Sequence, residues 1–118
     1  MAVNSKQKGA RFERSLAKIF RSHGYEARRT EQYCGNTGEA ADVIGLPYLH
    51  IEAKHQEAMH LYEWMAQAVR DAEAGGKGDL PAVFHKKNNA DILVTMRLED
   101  FITIYKEWEA GRSIEEEA

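Results

Sequence analysis

The segment DVIGLPYLHIEAK, running from Asp42 to Lys54, holds two short apolar runs, Val43-Ile44 and Leu49-His50-Ile51. Gly45-Leu46-Pro47 parts them and is a turn signal. Folded as a tight antiparallel hairpin about Pro47, the segment brings Asp42 opposite Glu52, because the two lie equally far from the turn. Strand side chains alternate faces, so Leu49, Ile51 and Ala53 point one way, and His50, Glu52 and Lys54 the other. Two carboxylates and a lysine then meet at the mouth of one hairpin above an apolar floor, a seat for a divalent cation, with His50 close enough to line it.

The rest of the chain supplies elements to flank this hairpin. Residues from about Ser5 to His23 predict a helix whose stripe is Phe12, Leu16, Ile19 and Phe20, closed by Gly24 as a left-handed cap. Tyr25 to Glu31 alternates weakly, as a strand does, and residues 32–39 form a polar loop in which Tyr33 is a candidate for stacking on a base. A second helix is expected from Leu61 to Ala74, buried through Leu61, Trp64 or Met65, Ala68 and Ala72 and ended by Gly75-Gly76. Strands follow at Ala82 to His85 and Ile92 to Met96. A last helix, Leu98 to Ala110, is expected to bury Phe101, Ile104, Tyr105 and Trp108 and to stop at Gly111. The order is α-β-β-β-α-β-β-α, an α/β fold with a mixed sheet flanked by helices. We expect one domain over residues 1–112, with 113–118 as a frayed acidic tail.

Totals narrow the class. The 118 residues are 43% hydrophobic and 30% charged, ordinary for one soluble globular domain. No apolar run approaches the roughly 20 residues of a membrane span, and the polar, basic start lacks the apolar segment of a signal peptide. The lone Cys34 forms no internal disulfide, so a cytoplasmic location is expected and a cysteine zinc site is excluded. His50, His55 and His60 recur every five residues, which is not the spacing of a helical zinc pair. Residues 1–30 hold eight Lys or Arg against Glu13 and Glu26, so they carry +6 while the whole chain carries −3. That asymmetry suits a phosphate-facing side with an acidic back, and equally a solvated basic helix face.

Phosphodiester hydrolysis needs an activated water, positive charge on the phosphate and help for the leaving oxygen. Mg²⁺ supplies most of this and prefers hard oxygen ligands. Asp42, Glu52 and the Ala53 carbonyl offer three such oxygens from adjacent strands. Lys54 is expected to hold water and offset charge on the phosphate rather than to act as a resting base. Glu13, in the run KGARFER and set away from the centre of its helix's stripe, is a further acid, or simply a surface partner of Arg11 and Arg14. Gln67 is expected to point back toward the hairpin.

With Lys8-Gly9 leading into Phe12-Glu13-Arg14, then His23-Gly24-Tyr25, Ala27-Arg28-Arg29, Ala41-Asp42-Val43, His50-Ile51-Glu52-Ala53-Lys54 and a helix holding Gln67, the chain resembles the PD-(D/E)xK nuclease superfamily. Within it the chain is similar to the archaeal-type Holliday junction resolvases and their phage relatives, over roughly residues 6 to 96. The resemblance implies a restriction-endonuclease-like fold. It also implies Glu13, Asp42 and Glu52 as acidic metal-site residues, Lys54 as the catalytic lysine, Gln67 as an auxiliary, and a homodimer. Ala41 stands where the superfamily name has proline. The serine such resolvases carry before the aspartate has no clear counterpart, Thr30 and Thr37 being the candidates.

Together these readings lead to a Mg²⁺-dependent, structure-selective DNA endonuclease, with Mn²⁺ as substitute, phage- or prophage-encoded. Its DNA contacts are expected at Lys6, Lys8, Arg11, Arg14, Arg28 or Arg29, and at Lys86 and Lys87 if that charged turn meets phosphate. The rivals are a nuclease for a flap, a nick or a duplex, and a DNA-binding module on the same fold without turnover.

Overall fold

The computed structural model describes residues 5–30 and 41–117. The elements are α1 (Ser5–Ser22), β1 (Arg28–Arg29), β2 (Val43–Ile44), β3 (Leu49–His55), α2 (Leu61–Gly75), β4 (Leu80–Lys86), β5 (Leu93–Thr95) and α3 (Leu98–Glu117), in the expected order. The five strands form one mixed sheet in the order β1-β2-β3-β4-β5. Pairing is antiparallel except between β3 and β4, where Glu52 lies beside Val83 in a parallel ladder. Parallel neighbours need a long crossover, and α2 provides it. The loop over residues 32–39, with Cys34, Tyr33 and Thr37, lies outside the described residues.

One face of the sheet packs on α1, through Phe12, Leu16 and Ala17 against Val43, Ile51, Ala53, Ala82 and Phe84. The other takes α2, where Trp64 and Ala68 cover Val83. Gly76 caps α2 in the left-handed conformation, as Gly24 follows α1 at φ 95°.

Two expectations about helix faces are corrected. The buried side of α1 is centred nearer Leu16 and Ala17 than predicted. Ala17 is 1% exposed, whereas Ile19 is 41% exposed. At about 100° per residue, that shift swings Ile19 outward and turns Glu13, one turn before Leu16 and Ala17, toward the sheet. The second correction concerns α3. Phe101, Ile104, Tyr105 and Trp108 are all exposed, and only Asp100 on this helix is buried. A helix also runs through Gly111 to Glu117 rather than stopping there. One internal glycine costs only about 1 kcal/mol, and Arg112 pairs with Glu115 at 3.2 Å in the turn after it.

Strand β1 is shorter than expected, two residues rather than seven. Its partner β2 is equally short, so only Arg28↔Ile44 and Arg29↔Val43 are in register. The turn after β2 is tightly built. Gly45 has φ 112°, and a Cβ there would overlap the Glu26 carbonyl oxygen and come within 2.5 Å of Ala27 Cα.

Candidate active site

The hairpin places its acids as its sequence implies. Val43 pairs with Ile51, which sets Asp42 against Glu52 one step further on. The Asp42 N–H donates to the Ile51 carbonyl at 2.8 Å, and the Ala53 N–H donates to Asp42 Oδ2 at 2.8 Å. Because N–H and C=O of one strand residue share an edge, the Ala53 carbonyl faces that side too. From β1, the Thr30 N–H donates to the Asp42 carbonyl at 3.1 Å, and the Thr30 hydroxyl donates to the Ala41 carbonyl. Thr30 therefore anchors the strand that carries Asp42.

Glu13, Asp42, Ala53 and Lys54 line one cleft of about 230 Å³, bordered also by Lys6 and His55. Glu52 does not line it. It is buried at 2% exposure, close enough to Asp42 to hydrogen-bond with it, and its Oε1 lies 3.0 Å from His50 Nε2. Glu13 pairs not with Arg11 or Arg14, which are exposed, but with Arg29 of β1 at 3.5 Å. That is too long for a hydrogen bond, and the buried Arg29 Nε has no hydrogen-bond partner among the described residues.

Electrostatics mark this cluster as short of positive charge. Burial first, and Glu52 second, push the Asp42 carboxyl from 3.8 up to about 7, against the opposing pull of the Ala53 N–H and Lys54. Glu13 is also raised, by burial and then by Asp42, against Arg29 and Lys54. Three carboxylates drawn together and partly desolvated form a donor set of hard oxygens that suits a divalent cation.

A proton held more tightly by the folded chain stabilises it. The Asp42 contribution is thus complete below about pH 4 and lost as pH rises through about 7. Asp42→Asn keeps the oxygen that accepts from Ala53 and removes the charge. We expect it to raise the melting temperature of the metal-free protein at pH 8 by at least about 5 °C, with the gap closing near pH 4. Thermal melts followed by circular dichroism at the two pH values check this, and an equal gap at both would contradict it.

Of the other expected residues, Gln67 is half-buried on α2 and does not border the cleft. It stands one turn before Asp71, on the same side of the helix. Lys8 and Lys86 lie near His55 and, after the larger effect of burial, help lower its pKa, but neither lines the cleft. Arg28 and Lys87 are exposed. His50 was expected to line the site, whereas Asp71 was not expected as a member of the cluster. His50, Glu52 and Asp71 hold ligand atoms within 4.8 Å of one another. Alternation along β3 already put His50 on the side of Glu52, but no local pattern tied Asp71 to it.

A family model described as "Phage putative PDDEXK endonuclease" matches residues 4–115. The chain belongs to that family. Ala41-Asp42 and Glu52-Ala53-Lys54 are the residues of this PDDEXK nuclease that meet around the Asp42 carboxylate. No curated protein matches it. Among solved structures it is similar to Archaeoglobus fulgidus Hjc, a Holliday junction resolvase from an archaeal hyperthermophile. The two share 26% identity and a TM-score of 0.57, over 75% of this chain and 72% of that one. The mixed sheet with flanking helices is thus the Hjc-like nuclease fold.

Proposed function

We propose that this PDDEXK nuclease is a Mg²⁺-dependent, structure-selective DNA endonuclease that resolves Holliday junctions as a homodimer. The observation that carries this reading is the convergence of Glu13, Asp42, Ala53 and Lys54 on one cleft, with Glu52 against Asp42. Glu13, Asp42, Glu52 and the Ala53 carbonyl would hold the cation, with Mn²⁺ as substitute. Bound there, it would polarise the phosphate and favour ionisation of the attacking water. Lys54 holds that water and offsets charge on the phosphate, while Gln67 is an auxiliary acting through α2. Lys6 borders the cleft, Lys8 and Lys86 lie near His55 at its edge, and Arg11, Arg14, Arg28 and Lys87 extend the basic surface, so affinity should fall steeply with salt. Arg29, engaged with Glu13, orients that acid more than it grips DNA. A phage- or prophage-encoded enzyme of this kind works in the cytoplasm; among the described residues no helix is long and apolar enough to cross a membrane.

The test is cleavage of four-way junctions, flaps, nicks and plain duplex across a Mg²⁺ and Mn²⁺ series, with Glu52→Gln as control. Preference for the junction supports the reading. Equal or better cleavage of plain duplex overturns the substrate.

Two strands of a junction need two active sites, and α3 offers the surface for a second copy. The helix projects from a body 33 × 27 Å across, giving a molecule 57 Å long. Leu98, Phe101, Tyr105 and Trp108 are spaced 3, 4 and 3 apart, the a/d pattern of paired helices. All four are exposed, and they continue into an apolar groove lined by Leu61, Tyr62, Met65 and Met96. Groove and helix on one chain make a self-complementary patch of the kind a two-fold dimer uses. Sedimentation of the full chain should give twice 13.4 kDa, and Phe101→Glu with Trp108→Glu should weaken association at least about 100-fold. A wild type that stays monomeric at tens of micromolar would rule out this seam.

A further inference from the structure

The geometry points to a second divalent-cation site, formed by His50, Glu52 and Asp71, that shares Glu52 with the first. It rests on the preceding reading only in giving Glu52 to both sites. The imidazole of His50 and the carboxylates of Glu52 and Asp71 place one ligand atom each within 4.8 Å of the others. Ligand atoms about 2.1 Å from a common ion lie roughly 3–4.3 Å apart. The 3.0 Å between His50 Nε2 and Glu52 Oε1 already meets that, and Asp71, within 4.8 Å of both, stands at most about half an ångström outside it. Glu52 can serve both sites because it faces His50 through Oε1 and also contacts Asp42.

Two further observations favour an ion. His50 and Glu52 are 4% and 2% exposed. Among the described residues no Lys or Arg makes an ion pair with Glu52 or Asp71, and the one group paired with buried Glu52 is the His50 imidazole, itself a metal ligand type. The cluster also meets a cleft at one of its three members. His50 lines a cleft of about 430 Å³ between the β2–β3 turn and the C-terminal half of α2, bordered by Ala72, Gly75 and Lys77. This cleft is separate from the one lined by Glu13 and Lys54.

The two sites differ in chemistry. The first is all oxygen and suits Mg²⁺. The second includes an imidazole nitrogen, which Mg²⁺ binds poorly and Mn²⁺, Co²⁺ or Zn²⁺ accepts readily. A nuclease built this way answers to the identity of the available metal and not only to its amount.

Calorimetry with Co²⁺ alone and with Mg²⁺ alone, alongside the visible Co²⁺ spectrum, tests this on the full chain. Wild type should bind two equivalents of Co²⁺ and one of Mg²⁺. Asp71→Asn should lose one Co²⁺ equivalent, or bind it at least about 10-fold more weakly, and keep the Mg²⁺ equivalent. His50→Gln, which can still donate to Glu52, should show the same loss, whereas Asp42→Asn should lose Mg²⁺ and keep one Co²⁺. A wild type binding one Co²⁺, with a spectrum unchanged in Asp71→Asn and His50→Gln, overturns the second site and leaves His50 as a hydrogen-bond donor to Glu52. Loss of one Co²⁺ in Asp71→Asn with Mg²⁺ binding intact in Asp42→Asn supports the second site and instead overturns the first. Circular dichroism melts confirm that each variant is folded.

Discussion

Glu52→Gln should lower junction cleavage by about 10³-fold or more at saturating Mg²⁺, and should leave the protein folded. The amide matches the carboxylate in size, so packing around this buried side chain persists. The charge does not. Glu52 touches Asp42 on one side and His50 on the other, so its carboxylate is the group through which the cluster would hold a cation. Lys54→Ala should cost less, about 10²-fold, because it removes one positive contact and leaves the oxygen ligands. Gln67→Ala should cost under about 10-fold, since Gln67 stands off the cleft. Single-turnover cleavage with melting temperatures recorded on the same preparations separates lost chemistry from lost structure. Undiminished cutting by Glu52→Gln would end the site as described.

The largest effect on stability should come from Gly45→Ala, a cost of roughly 3–5 kcal/mol out of the about 5–15 kcal/mol that holds a domain of this kind together. Two penalties act at once. A φ of 112° is one that residues with a side chain rarely adopt, and the added methyl would overlap the backbone at Glu26 and Ala27. Backbone cannot step aside as a flexible side chain can, so β1 would have to leave β2. That movement would free Thr30 from Ala41 and Asp42, and activity should fall with stability. Gly24→Ala and Gly76→Ala are the controls. Both have positive φ but nothing within 4 Å of a built Cβ, so each should cost only about 1 kcal/mol. Urea denaturation measures all three. A Gly45→Ala cost no larger than that of the controls would show that the turn relaxes freely.

Much of this was legible in local pattern. The eight elements and their order follow from apolar periodicity and from the turn residues at Gly24, Gly45-Leu46-Pro47, Gly75-Gly76 and Asn88-Asn89. The pairing of Asp42 with Glu52 follows from strand alternation and a centred turn, which are short-range rules. Glu13 was harder. Its sequence neighbours Arg11 and Arg14 suggested a surface pair, but its partner is Arg29. The side of α1 that is buried is set by which neighbours the sheet offers, and small Ala17 is admitted there in place of larger Ile19. Asp71 was beyond reach, because its approach to His50 depends on how α2 crosses the sheet. For α3, an apolar stripe says that something covers it and not what. We expected the chain's own core, and the fold leaves the stripe outside.

The sequence by itself determined the fold class and the hairpin that presents Asp42, Glu52 and Lys54, because periods of 3.6 and 2 and the conformational limits of Gly and Pro act between near neighbours. The tertiary structure alone decided that Glu13 turns inward to Arg29, that Asp71 of α2 comes within 4.8 Å of His50 and Glu52, and that α3 stands free. Those outcomes depend on the packing angle and rotation of whole helices against the sheet, which summed contacts between residues distant in the chain set and no local pattern encodes.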